Sequence, residues 1–271
     1  MVLREKGGIV KKIGFLLVMF LGVGLTNSYA QISSDEVAEK ASHVSYYQGK
    51  DGRSLAHMVI TDAQGRTRER KMAILRFNIG ETQEQRYYVY FHMPADVKGM
   101  SYVVWKHAGR DDDRWLYLPA LDLVRRVAAS DKRSSFAGSN FLYEDVSGRS
   151  VDLDKHELVD SDESFYILEN TPKDAGQVEF SFFKVWVDVK NFVPMKAEYY
   201  NKEGKLYRIV EVLEVKDIQG YPTIAKMKAS DLNSGAQTVA EFLDVTYDIG
   251  LSEDIFTERY LRNPPRQWIK E

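Results

Sequence analysis

The chain has 271 residues, with 37 basic and 40 acidic side chains and no cysteine. The lack of cysteine excludes a thiol nucleophile, a disulfide framework and cysteine-ligated zinc or iron–sulfur sites. The acidic charge balance argues against a nucleic-acid partner, because phosphate contacts need a basic surface.

Residues 1–30 predict a cleaved secretory signal peptide, which leaves residues 31–271 as a single mature domain. A basic start precedes an apolar run at residues 13–25, which is shorter than the roughly 20 residues that span a bilayer. Ser28 and Ala30 form a small-residue cleavage site, so cleavage is expected after Ala30. The alternative is a retained N-terminal anchor. A signal for export in a chain that has no cysteine favours the periplasm of a double-membrane bacterium, where disulfides are allowed but not required.

The mature chain predicts one helix followed by many strands. Ser33 and Glu36 have capping-box spacing, and apolar residues follow at helical intervals. From about residue 53 the apolar period changes to two, which predicts an antiparallel meander. Strands are expected at 53–62, 67–79, 84–93, 100–107, 113–118, 123–128, 163–170, 178–190, 194–201, 205–216, 222–231 and 236–248. Further helices are predicted around 131–142 and 153–159 and at 252–262.

Three segments are apolar or aromatic on both faces, at residues 86–94, 102–105 and 180–189. A sheet that is exposed on one side alternates apolar and polar residues, so these strands predict a sheet with both faces covered. Two interpretations are open at this point. Helices pack on the second face, or the sheet is curved and its inner face takes an apolar ligand.

No motif for catalysis or phosphate binding follows the signal peptide. The five histidines lack metal-ligand spacing, and Asp152, Asp154 and His156 fit a solvated acidic turn better than a calcium loop. Three consecutive aspartates lie between Arg110 and Arg114, which neutralise them and make a cation site unnecessary. Enzymatic activity, a bound metal and a cofactor are therefore not expected.

The densest basic stretch is RTRERK, residues 66–71. On a strand, Arg66, Arg68 and Arg70 share one face. Such a stretch is either a solvated sheet edge that discourages aggregation, or a contact for an anionic headgroup or a protein partner.

Residues 113–146, DRWLYLPALDLVRRVAASDKRSSFAGSNFLYEDV, begin as a strand. Trp115 and Tyr117 lie on one face of it, Leu116 and Leu118 lie on the other, and Pro119 ends it. The whole stretch closely resembles the signature of the LolA-like outer-membrane lipoprotein-sorting proteins. That signature is a W-x-Y-x-P strand, a hydrophobic-Arg-Arg strand and then S-x-[KR]-x-S-F-x-G-[ST]-[DN]-F.

Further matches at residues 93–105, 185–208 and 254–264 extend the resemblance over nearly the whole mature chain. Two positions depart from the family pattern. Asn140 stands where an acidic residue is common, and Met100 stands where a small polar residue is usual.

The resemblance implies a mainly β (α+β) fold, namely an open antiparallel half-barrel of about eleven strands, with helices covering the concave face. It also implies the carriage of lipoprotein acyl chains or other lipids across the periplasm by a monomer. Relatives of this subgroup are often linked to RND-type membrane transporters. An RND-type inner-membrane transporter or an outer-membrane acceptor is therefore the implied partner.

Candidate site residues follow from the same stretch. An apolar cavity lined or gated by five aromatic residues is expected: Trp105, Trp115, Tyr117, Phe136 and Phe141. Headgroup or lid contacts are assigned to Arg125, Arg126, Ser135 and Ser139. Core packing is the alternative for each of them.

Two functions remain open from the sequence. The first is a periplasmic carrier that passes lipid or lipoprotein acyl chains between membrane partners. The second is a regulatory or interaction protein of the same fold, which senses lipid or binds a peptide without transporting it.

Overall fold

The computed structural model describes residues 1–2, 32–80 and 82–271. The predicted signal peptide lies outside these residues apart from Met1 and Val2, so it stays a prediction. The unit described below is Ile32–Glu271.

Antiparallel strands dominate this unit, and they form one 13-stranded sheet. The strands are β1 (Asp51–Thr61), β2 (Thr67–Asn78), β3 (Gln85–Met93), β4 (Ser101–Lys106), β5 (Asp113–Leu118), β6 (Leu123–Arg126), β7 (Asp154–Ser161), β8 (Phe165–Pro172), β9 (Phe180–Asp188), β10 (Pro194–Asn201), β11 (Leu206–Ile218), β12 (Tyr221–Asp231) and β13 (Gln237–Tyr247). The helices are α1 (Ser34–Tyr46), α2 (Tyr143–Ser147) and α3 (Glu258–Arg262). Short 3-10 turns lie at Pro119–Leu121, Ala129–Arg133, Val151–Leu153, Ala175–Gln177 and Glu253–Phe256.

The sheet is open, since its strand order β6-β5-β4-β3-β2-β1-β13-β12-β11-β10-β9-β8-β7 leaves β6 and β7 as edges. The predicted fold class, an open antiparallel sheet with few helices, is confirmed. All twelve strands predicted from the alternation are present. The resemblance implied about eleven strands, and the sheet has thirteen.

The sheet must curl, because one short segment contacts strands far apart in its order. Arg133 lies over the ring of Phe180 in β9, and Phe136 packs on Phe91 in β3. Seven strand spacings separate β3 from β9, or about 34 Å in a flat sheet. Three residues of extended chain reach only about 11 Å. The rings of Phe91 and Phe180 project from the sheet and not along it, so even fully extended side chains of Arg133 and Phe136 would not bridge that distance in a flat sheet. The face that this segment covers is therefore concave, and we call it the inner face.

Three helix predictions are wrong in whole or in part. The predicted helix at 153–159 is instead the end of a 3-10 turn and the edge strand β7, in which exposed Lys155 and Glu157 alternate with less exposed neighbours. Residues 131–142 begin in a 3-10 turn but then reverse direction, because Ala137 and Gly138 have φ of 51° and 75°. The predicted helix at 252–262 is divided by Thr257 into a 3-10 turn and α3.

Both faces of the first five strands are covered, as the two-sided apolar segments predicted. The inner face packs Met72, Phe91 and Tyr102 against Phe136 and its neighbours. The outer face is covered by the C-terminal residues 249–269. Hydrogen bonds fix this C-terminal segment to the sheet: Trp105 Nε1 donates to Phe256 O at 2.5 Å, and Ser101 Oγ donates to Leu261 O at 2.6 Å.

The three consecutive aspartates are paired with cationic side chains. Asp111 lies 3.2 Å from Lys132 Nζ, and Asp112 lies 2.6 Å from Arg114 Nη2. Asp113 pairs with Arg126. The carboxylates therefore act as neutralised groups at the start of β5.

The basic stretch at residues 66–71 runs into β2. Residues 67–70 pair with β1 but precede the first β2–β3 pair at Lys71 and Met93, so they form a local edge. Arg68 is exposed there, whereas Arg70 is buried and lies 3.5 Å from Asp96.

Candidate functional site

A cavity of about 320 Å³ lies between the inner face of the sheet and a cover made by the end of α1 and residues 136–146. Most of its lining is apolar, and the lining comes from seven strands as well as from the cover. The apolar lining residues are Val44, Ala56, Met58, Met72, Ile74, Phe136, Phe141, Val146, Pro194, Ala197, Val210, Val212, Ile224, Met227, Ala240, Phe242 and Val245.

Phe136 and Phe141 are placed by a small hairpin at residues 135–142. Phe136 N donates to Phe141 O at 2.8 Å, and the turn between them uses the positive φ of Ala137 and Gly138. Two successive residues with positive φ make a turn that matches the twist of paired strands. The hairpin thus presents both aromatic rings on the cavity side.

Ser135 and Ser139 stabilise this hairpin from within. Ser135 Oγ donates to Ser139 O at 2.6 Å, and Ser139 Oγ donates to Phe136 O at 2.7 Å. Phe141 N in turn donates to Ser139 Oγ at 3.1 Å. The serines therefore hold the shape of the loop that was assigned to headgroup or lid contacts.

Asn140 fastens the hairpin to β13, the central strand of the sheet. Its backbone N–H donates to Thr238 Oγ1 in β13, and the Thr238 hydroxyl donates to Asn140 Oδ1, both at 2.9 Å. The Thr238 hydroxyl both accepts and donates in this reciprocal pair. Thr238 is fully buried. Asn140 thus has a structural role, and its side chain accepts through Oδ1 a hydrogen bond that the acidic residue common in the family would also accept.

The C-terminal end of α1 is fixed to the sheet by polar side chains. Arg76 donates to Tyr46 O and Gln48 O, and Gln85 Nε2 donates to Tyr46 O at 2.6 Å. Asn78 Nδ2 reaches Tyr47 O at 2.9 Å. These donors satisfy carbonyl groups that have no partner at the end of a helix.

The two halves of the cover meet where Tyr46 of α1 packs on Gly148, directly after α2. A Cβ at Gly148 would lie 2.8 Å from the Tyr46 ring, and the φ of Gly148 is 78°. Only glycine combines this conformation with so close a contact.

We expect Gly148→Ala to lower the free energy of unfolding by about 2 kcal/mol more than Gly65→Ala, because small-to-large changes in packed sites cost about 1–3 kcal/mol. Gly65 has a φ of 79° and no atom within 4 Å of the added Cβ, so it controls for the backbone conformation alone. Urea unfolding of both variants measures the difference. Equal losses of unfolding free energy would show that the contact with Tyr46 adds nothing to the cost of Gly148→Ala.

A buried charge cluster lies beneath the cover. Glu144 of α2 pairs with Arg133 at 2.8 Å and with Arg149 at 3.1 Å, and Arg149 also pairs with Asp154 at 2.7 Å. Burial acts to raise the pKa of Glu144, but Arg133 and Arg149 together hold it below its ordinary value. The carboxylate is therefore charged at neutral pH, and it binds residues 133–154 together.

Glu179 extends this cluster towards solvent. Arg133 Nη2 lies 2.6 Å from it, and Tyr207 Oη donates to it at 2.8 Å. Burial acts to raise the pKa of Glu179, but the hydrogen bonds and charge of Arg133 lower it from 4.5 to about 2.

This shift predicts how stability depends on pH. A carboxylate whose folded pKa is depressed contributes fully above its ordinary pKa and loses the contribution as pH falls through the folded value. We therefore expect Glu179→Gln to be less stable than the wild type at pH 7, and the two to converge between pH 4.5 and pH 2. Urea midpoints at pH 7, 4 and 3 measure this, and parallel pH curves would contradict it.

The structure divides the five predicted aromatic residues between two faces. Phe136 and Phe141 line the cavity. Trp105, Trp115 and Tyr117 lie on the outer face, packed against the C-terminal segment. Trp115 and Tyr117 share a face, as the alternation predicted, but that face is turned away from the cavity.

The predicted arginines lie on the edge strand β6. Arg125 and Arg126 are both exposed. Arg126 pairs with Asp113, and the charge of Arg125 acts on Tyr143 of α2. Neither arginine lines the cavity, whereas Arg76, which the motifs did not single out, does.

Two features are absent from the described residues, 1–2, 32–80 and 82–271. No group of three or more His, Cys, Asp or Glu side chains there is placed to hold a metal ion. No helix in that part of the chain is long and apolar enough to cross a membrane.

The architecture matches solved structures closely. A DUF1329 family protein from Desulfovibrio piger has a TM-score of 0.78 and 30% sequence identity, over 84% of this chain and 97% of that chain. The chain belongs to the DUF1329 family. A family model described as an uncharacterized protein matches residues 83–263 of this DUF1329 protein. No curated protein matches the sequence.

Two further structures relate the DUF1329 chain to lipoprotein-sorting folds. A domain from Vibrio parahaemolyticus, provisionally described as an outer-membrane lipoprotein-sorting protein, has a TM-score of 0.77 and 26% identity, over 84% of this chain and 98% of that chain. A LolA superfamily protein from Nitrosomonas europaea has a TM-score of 0.66 and 22% identity, over 85% of this chain and all of that chain. The predicted LolA-like family is confirmed.

Proposed function

We propose that this protein is a periplasmic carrier that binds the acyl chains of lipids or lipoproteins in the cavity and passes them between membrane partners. The observation that supports it is the cavity itself. Its volume of about 320 Å³ lies within the range of small-molecule sites, and its lining is mostly apolar. The partners would be an inner-membrane donor, such as an RND-type transporter, and an outer-membrane acceptor.

The energetics of an acyl chain explain why such a carrier needs this cavity. Exposing a sixteen-carbon chain to water costs about 12 kcal/mol, at ~0.8 kcal/mol per methylene group. The carrier must therefore enclose the chain between two apolar surfaces. Here the sheet supplies one surface, which includes Met72 and Met227, and the cover supplies the other, which includes Phe136 and Phe141.

A second function is favoured by the way the cover is held. Asn140, Arg208 and Arg133 all tie it to the sheet through hydrogen bonds or ion pairs. A cover so firmly attached suits a regulatory protein that senses lipid without releasing it to an acceptor.

Binding and transfer of a fluorescent long-chain fatty acid test the two functions. A carrier binds the probe with 1:1 stoichiometry and increases the rate at which it moves from donor to acceptor vesicles. A sensor binds the probe but leaves the transfer rate at the protein-free value. A folded mature protein that binds no probe would contradict both.

A further inference from the structure

The polarity of the cavity changes along the strands. Met72, Ala56 and Phe242 lie opposite one another on β2, β1 and β13, and all three are apolar. Four residues further along β2, the opposed residues on the same three strands are Arg76, Gly52 and Tyr247. The hydroxyls of Tyr247 and Thr223 are 2.9 Å apart there, and both residues line the cavity. The cavity therefore has an apolar body and a cationic, hydroxyl-rich end.

The Arg76 guanidinium is only partly occupied by the protein. A guanidinium carries five N–H donors. Nη1 donates to Tyr46 O at 2.5 Å and to Asn78 Oδ1 at 3.2 Å, and Nη2 donates once, to Gln48 O. Within the described part of the chain, Nε–H and the second Nη2–H have no acceptor. An Nε–H and an Nη2–H of one guanidinium can together bind both oxygens of a carboxylate.

The positive charge of Arg76 also lacks an ion-pair partner among the described residues. Asp51 and Asp248 are the carboxylates whose charges act on it. Asp51 instead accepts the backbone N–H groups of residues 249–251 at 2.8–3.1 Å, and Asp248 accepts Lys50 N–H at 2.7 Å. Burial lowers the pKa of Arg76 from its ordinary value. A half-buried cation in an apolar cavity is stabilised by an anion brought by the ligand.

We propose that the cavity selects single-chain amphiphiles with a carboxylate head, such as free fatty acids. The acyl chain occupies the apolar body, and the carboxylate accepts the two remaining donors of Arg76. Gly52 allows Arg76 and Tyr247 to lie close together: the Arg76 Cζ is 5.9 Å from the centre of the Tyr247 ring, and a Cβ at Gly52 would lie 3.4 Å from that ring and 3.7 Å from Arg76 Nη2. This inference rests on the proposed binding of acyl chains, and it narrows the cargo to anionic amphiphiles over neutral esters.

A comparison of two ligands on the wild-type protein tests the inference without any mutation. Displacement of a fluorescent probe by dodecanoate and by its methyl ester gives the two affinities. We expect dodecanoate to bind about 10- to 100-fold more tightly, since hydrogen bonds to a charged group are the strong ones. Equal affinities would overturn the carboxylate site while leaving acyl-chain binding intact. Failure of both ligands to bind would instead contradict the proposed function.

A pair of variants assigns the preference to Arg76. Arg76→Gln should reduce the affinity for dodecanoate about tenfold or more and leave that for the methyl ester unchanged. Arg68→Gln is the control, because Arg68 is exposed on the same strand and does not line the cavity. If Arg76→Gln loses affinity for both ligands equally, Arg76 only positions α1 and the inference is wrong. If Arg76→Gln does not fold, the comparison of dodecanoate with its methyl ester on the wild-type protein still decides whether the cavity prefers a carboxylate.

Discussion

Replacing Glu144 by Gln should destabilise the protein by about 3 kcal/mol, since removing one partner of a buried ion pair leaves its counter-charges uncompensated. Glu144 is only 3% exposed and pairs with both Arg133 and Arg149. In the variant, Arg133 still pairs with Glu179 and Arg149 still pairs with Asp154, which limits the loss of stability. For a domain of this size the melting temperature should fall by about 6–12 °C.

Glu203→Gln is the matched control for this change, because Glu203 is exposed in the turn between β10 and β11. It removes the same charge and should change the melting temperature by less than about 2 °C. Differential scanning calorimetry at pH 7 compares the two. Similar losses in both variants would show that net charge, and not the buried cluster, sets the stability.

Filling the cavity should abolish lipid binding while the fold persists. Val212 of β11 lines the cavity, so Val212→Trp places an indole within a volume of about 320 Å³. We expect the affinity for a fluorescent fatty acid to fall at least tenfold, a loss of about 1.4 kcal/mol or more. The melting temperature should change little, because the ring enters space that no side chain occupies.

Leu213→Trp controls for this substitution, since Leu213 is the next residue on the same strand and is 47% exposed. It should bind the fatty acid with wild-type affinity. Unchanged binding in a folded Val212→Trp protein would place the lipid elsewhere.

Most strands were predictable, because apolar and polar residues alternate along a strand wherever one face of the sheet is more buried than the other. In β7 the alternation of apolar and polar residues is too weak to recognise. Lys155, Glu157 and Val159 are all exposed, and Leu158 is the one apolar residue of β7 that packs against a buried cluster. The hairpin at 135–142 was mistaken for part of a helix, because nothing in its composition shows that Ala137 takes a positive φ.

The site was predictable only in part, because alternation shows which residues share a face but not which face is concave. Phe136 and Phe141 were placed in the cavity by the family motif. Trp115 and Tyr117 were assigned to the same cavity, although the C-terminal segment covers them on the other side. That error follows from long-range contacts, since residues 249–269 are more than a hundred positions away.

The sequence does carry a signal for Arg76. It follows Met72 and Ile74 at intervals of two residues along an apolar strand, so the alternation predicts one cationic side chain on the same face as those two. What the sequence could not show is that β1 contributes Gly52 and β13 contributes Tyr247 at the same level. The register of strands far apart in the chain decides which polar groups meet at the end of the cavity.

Native mass spectrometry of the mature protein, purified gently from the periplasm of its own host, tests the central claim most directly. We predict a stoichiometric adduct whose mass and extract identify an acyl-chain lipid. The Val212→Trp protein, purified in the same way, should lack that adduct. A bare wild-type protein that also takes up no added fatty acid would contradict the account.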